Sequence, residues 1–84
     1  MFDVKFTPSG KRDIEKLSKD IQLRIVKKIK FFASQKQPLN FAKPLVNLPP
    51  STHRFRVGNY RIAFYLAGET IYIEKIGHRK EVYL

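Results

Sequence analysis

The chain has 84 residues, no cysteine, 43% hydrophobic content and a formal net charge of +10, which describes a single small domain over residues 1–84 with room for one active surface. Seven Phe and four Tyr exclude a disordered basic tail, and without thiols neither a disulfide framework nor a thiolate zinc site can be built. No apolar run approaches the roughly 18 residues of a membrane span and no secretory pattern opens the chain, so the expectation is a soluble cytoplasmic protein whose 17 basic and 7 acidic side chains meet a polyanion, nucleic acid ahead of an acidic protein.

Phe2, Val4 and Phe6 alternate with Asp3, Lys5 and Thr7, the period of a half-buried strand, ended by Pro8-Ser9-Gly10. From Lys11 to about Ser18, Ile14 and Leu17 predict a short helix with a narrow apolar stripe. A stronger helix follows, in which Ile21, Ile25, Ile29 and Phe32 repeat at four, four and three while Arg24, Lys27, Lys28 and Lys30 lie off the stripe. Asp20 is its expected N-cap and Gln37-Pro38 its expected end, so the two helices form a hairpin. Residues 38–51 hold four of the five prolines among scattered apolar residues. They read as an ordered connector that either contains a helical turn near Asn40 to Lys43 or folds back on the core.

From His53 the pattern turns to strands. His53-Arg54-Phe55-Arg56-Val57 and Tyr60 to Leu66 flank Gly58-Asn59, a tight hairpin, and Ala67-Gly68-Glu69 separates these from Thr70 to Ile76. The chain closes on a short tail, Gly77 to Leu84. The fold class is therefore α+β: an N-terminal strand, a helical hairpin and an antiparallel meander.

Charge type divides along the chain. Nine of eleven lysines precede residue 53, whereas Arg54, Arg56, Arg61 and Arg79 fall in the strand half. Because strand side chains alternate, Arg54 and Arg56 share a face opposite Phe55 and Val57, and Arg61 joins them if Ile62 and Phe64 face the core. Like charges this close repel, which makes sense if an anion sits among them, and arginine's planar fork suits phosphate. The lysines of the second helix read as a solvated face. The chain has no phosphate-binding glycine loop, no histidines four apart and no dense carboxylate cluster for magnesium, so phosphate chemistry is expected without metal or cofactor.

Arg54-Phe55-Arg56-Val57-Gly58-Asn59-Tyr60-Arg61-Ile62 and Gly77-His78-Arg79-Lys80-Glu81-Val82-Tyr83 resemble the RelE/ParE superfamily of toxins, over nearly the whole chain. The tail is similar to the RelE branch, which cuts messenger RNA on the ribosome, rather than to the ParE branch, which poisons DNA gyrase. The resemblance implies a strand, two helices and a meander, a cognate antitoxin as partner, and a ribosome-dependent endoribonuclease acting on mRNA. It places the family's basic positions on Arg54 and Arg56, the arginine after the turn on Arg61, the C-terminal arginine on Arg79 and the terminal tyrosine on Tyr83. Such residues orient the scissile phosphate, activate the ribose 2′-hydroxyl, stabilise the pentavalent state and protonate the leaving oxygen. RelE has lysines where this chain has Arg54 and Arg56, and arginine stays protonated. These two can therefore hold phosphate but not act as base. His53, His78 and Tyr83 are the acid–base candidates, His53 lying by parity away from Arg54. A gyrase poison and a noncatalytic basic module remain as alternatives.

Overall fold

The structure, a computed structural model, describes residues 1–79. Among these, the elements are β1 (Asp3–Phe6), α1 (Pro8–Glu15), α2 (Lys19–Ala33), a 3-10 turn (Pro38–Phe41), β2 (Lys43–Pro44), β3 (His53–Val57), β4 (Tyr60–Ala67) and β5 (Thr70–His78). The strands form one sheet in the order β1-β5-β4-β3-β2. The meander β3-β4-β5 is antiparallel as expected, and β1 returns beside β5 in parallel, Val4 opposite Ile71. Both helices cover one face of this sheet. Ile14, Ile25, Ile29 and Phe32 meet Phe55, Val57, Ile62, Phe64, Ile71, Ile73 and Ile76 in a single core.

Local chemistry moves several boundaries. Pro8-Ser9-Gly10 opens α1 rather than merely ending β1, because proline suits the first helical position and the Thr7 hydroxyl accepts from the Gly10 amide at 3.1 Å. Ser18, not Asp20, caps α2, leaving Asp20 in its first turn, where its charge complements the helix dipole. The helix stops at Ala33, short of the expected Gln37-Pro38, and its end is set by Ser34, whose amide donates to the Lys30 and Phe31 carbonyls. Of the two options for the connector, both occur in part: a 3-10 turn at Pro38–Phe41, then a two-residue strand on β3. The Leu45 amide donates to the Thr52 carbonyl at 2.9 Å, so alternation puts the nitrogen of Pro44 on the outer edge of the sheet.

Gly58 and Gly68 both have φ near +60° at the first central position of their hairpins, the conformation of a II′ turn. Strand β5 runs two residues past the expected Ile76, to His78, and carries a bulge: Phe64 pairs with Ile73 but Ala63 pairs with Lys75, leaving Glu74 as the extra residue. Helix α1 grips this irregular stretch. The Thr7 amide and hydroxyl both donate to the Ile73 carbonyl, and the Asp13 carboxylate accepts from the Ile76 amide at 2.9 Å.

Gly10 lies where α1 crosses β5, and a Cβ there would collide with the Ile73 carbonyl oxygen. Alanine normally favours a helix over glycine by about 1 kcal/mol, yet here the forced separation of helix and strand outweighs it. Gly10→Ala is expected to destabilise the fold by about 1–3 kcal/mol, read as a lower midpoint in urea unfolding.

Candidate functional site

The site begins with a column of rings. Phe32 of α2 stacks on Phe55 with centroids 4.4 Å apart, and Phe55 stacks on Phe64 at 4.2 Å. Phe55 and Phe64 are completely buried. Because Phe55 points into the core, its neighbours Arg54 and Arg56 must point to the sheet face away from the helices, as the alternation predicted. A slip by one residue would bury both guanidinium groups at several kcal/mol each and expose rings worth about 1.5–3 kcal/mol apiece, so this register is strongly fixed.

Two rows of side chains cross that face. Lys43 pairs with Arg54, which pairs with Ala63, and beside them Arg56 pairs with Arg61, which pairs with Gly77. The small residues on β4 and β5 leave space next to the long cations. Phe41, Lys43, Arg54, Arg56 and Arg61 line a cavity of about 90 Å³ there. Arg56 Nε donates to the Gly58 carbonyl at 3.2 Å, at the hairpin turn, and Arg54 Nη1 to the Pro44 carbonyl at 3.4 Å, on β2. Burial first, then Arg56, Arg54 and Arg79, push the pKa of Arg61 below its ordinary value. Arg61 is thus the residue on which the positive charges of Arg56, Arg54 and Arg79 converge.

The candidates from sequence divide accordingly. Arg54, Arg56 and Arg61 share one face. Arg79, whose amide donates to the Asn59 carbonyl at 2.8 Å, is close enough to act on Arg61. His78 lies apart from them: it is a strand residue, and with Gly77 opposite Arg61, alternation turns it to the helix side. There it meets the Tyr60 ring edge-on at 5.9 Å and lines a separate cavity with Asp13, Lys16 and Leu17. His53 also stays off the arginine face, near Phe64 and within 2.9 Å of the Thr52 hydroxyl. Tyr83 lies outside the described residues. Sequence reasoning missed Lys43 and Phe41, which reach the cavity from the connector. The signal available was Lys43-Pro44, a charged residue and a proline together as on many edge strands.

A family model described as the ParE toxin of type II toxin-antitoxin system, parDE, matches residues 4–83. The chain belongs to the RelE/ParE superfamily of toxins. It is 32% identical to toxin RelG of Mycobacterium tuberculosis over 98% of this chain and 95% of the relative. It is similar to a chain of the RelBE2 toxin-antitoxin complex of the same organism, with a TM-score of 0.74 and 30% identity, covering 93% of this chain and 98% of the other. It is also similar to a chain of the RelB-RelE complex of Methanococcus jannaschii, with a TM-score of 0.66 and 27% identity, covering 93% of each. The strand, two helices and meander expected from the resemblance are the fold that these neighbours share.

In this toxin, Arg56 and Arg61 face each other directly, so their repulsion opposes folding when no anion is bound. Arg56→Gln is expected to stabilise the free protein by about 0.2–1 kcal/mol at low ionic strength. The gain should shrink at high salt, where screening already weakens the repulsion. Urea unfolding at two salt concentrations measures both effects.

Proposed function

We propose that this type II toxin is a ribosome-dependent endoribonuclease that cuts mRNA by attack of the ribose 2′-hydroxyl on the adjacent phosphorus, without a metal ion. The observation that carries this reading is the cavity ringed by Lys43, Arg54, Arg56 and Arg61. As the 2′-oxygen bonds to phosphorus, negative charge grows on the non-bridging oxygens, and fixed guanidinium groups stabilise that state more than the ground state. The P–O5′ bond then breaks, leaving a 2′,3′-cyclic phosphate upstream and a 5′-hydroxyl downstream. The 2′-hydroxyl loses a proton and the leaving 5′-oxygen gains one. The arginines hold phosphate, Arg79 strengthens the field at Arg61, and of the three acid–base candidates Tyr83 is the one assigned proton exchange in this reading. A cognate antitoxin is proposed as the protein partner, supported by the toxin-antitoxin complexes in which the similar chains were solved.

The match to the ParE model favours a second reading, a DNA gyrase poison, in which the same basic face would serve binding rather than cleavage. Programmed ribosomes incubated with the toxin, followed by mapping of messenger ends and their chemistry, separate the two. Arg61→Ala is expected to lower cleavage roughly 10²–10³-fold while the protein remains folded by circular dichroism. Messenger left intact by the wild type, together with inhibited supercoiling, would support the gyrase reading instead. A 3′-hydroxyl and 5′-phosphate at the cut would rule out 2′-hydroxyl attack.

A further inference from the structure

The cationic cavity has one wall that phosphate chemistry does not use. Phe41 lines it beside Lys43, Arg54, Arg56 and Arg61, and the residue is 44% exposed. The ring is held in place by its neighbours: Phe32 lies 5.5 Å away at 32° and Phe31 lies 5.8 Å away, edge-on at 75°. Lys28 Nζ sits 5.3 Å and 5.7 Å from the centroids of Phe31 and Phe32, which adds a cation to the back of the cluster. Phe41 is therefore an ordered, partly wetted aromatic ring at the rim of a phosphate-sized, positively charged hollow.

Such a pairing selects its occupant. An apolar protein side chain docked on Phe41 would strip water from the neighbouring guanidinium groups without neutralising them, which is costly. An unpaired nucleotide brings a flat π-face and an anion together. Any base can use the first, and the arginines take the second.

We propose that Phe41 is the base-stacking wall of the site: with a backbone phosphate among Arg54, Arg56 and Arg61, a neighbouring unpaired RNA base lies on the exposed Phe41 ring, and Lys43 contacts the intervening backbone. This assignment rests on reading the arginine face as an RNA site. Phe41 is a positioning residue, whose contact with the base would fix which phosphate enters the hollow.

The test uses a short single-stranded RNA carrying 2-aminopurine, and the same oligomer with that base removed. Wild type is expected to quench 2-aminopurine fluorescence on binding. Phe41→Leu, which keeps an apolar contact with Phe32, is expected to weaken binding of the base-bearing RNA roughly 5- to 150-fold and to leave the abasic RNA unchanged. Phe41→Tyr should restore both quenching and affinity, and thermal melts of each variant control for folding. Unquenched fluorescence with wild type, or equal affinities of wild type and Phe41→Leu for the base-bearing RNA, would overturn the proposal. So would a Phe41→Leu protein that loses its antitoxin but binds RNA normally, since the ring would then be a protein-docking residue. The outcomes also separate this inference from the cleavage reading. Intact messenger with Phe41-dependent quenching removes the nuclease and keeps the stacking wall, whereas Arg61-dependent cleavage without that quenching does the reverse.

Discussion

The β5 side of the arginine face depends on how α1 holds the bulge in that strand. Ile71 and Ile73 are two residues apart and Ile76 follows after three, so a regular strand could send only one of the last two into the core. The extra residue at Glu74 lets both Ile73 and Ile76 be buried, each worth about 1.5–3 kcal/mol. The β1 ladder ends at Ile73, and beyond it α1 takes over that side of β5 through the Asp13 carboxylate, which accepts from the Ile76 amide. The phase set there passes down the strand, putting Gly77 rather than Ile76 opposite Arg61.

The same comparison of magnitudes explains why a sheet can carry so much like charge on one side. Facing cations cost about 0.2–1 kcal/mol per pair in contact with solvent. The Phe32, Phe55 and Phe64 column that orients them gains several times that through burial alone. Packing on the helix face therefore overrides repulsion on the other, and the protein folds with a positive field already assembled. On the proposed reading, an incoming phosphate would meet groups that need little rearrangement, which is how electrostatic stabilisation becomes effective.

The sequence was most legible where period and burial agree. The β3–β4 hairpin, the Ile21 to Phe32 stripe and the common face of Arg54, Arg56 and Arg61 all follow from alternation or helical spacing. It was least legible where one residue carries two messages. Pro8 reads as a strand breaker and serves as the first residue of a helix; Gly77 and His78 read as a tail and belong to a strand. The face of His78 could not be read by counting, because a bulge reverses parity, and its clue, the odd spacing of three isoleucines, is easily taken for noise. Phe41 and Lys43 reach the arginines by tertiary folding of a connector with no period of its own. The parallel pairing of β1 with β5 likewise joins residues far apart in the chain, such as Val4 and Ile71, and no local pattern records it.

The proline that closes β2 matters for a molecule whose sheet is otherwise well suited to grow. At the position where an outer-edge amide would stand, Pro44 offers no hydrogen to a visiting strand, and Lys43 beside it adds a charge that an approaching copy must desolvate. That margin of the sheet is a poor template for ribbon-like self-association. A short, aromatic-rich protein can thereby keep its cationic surface open without that same margin recruiting its own kind.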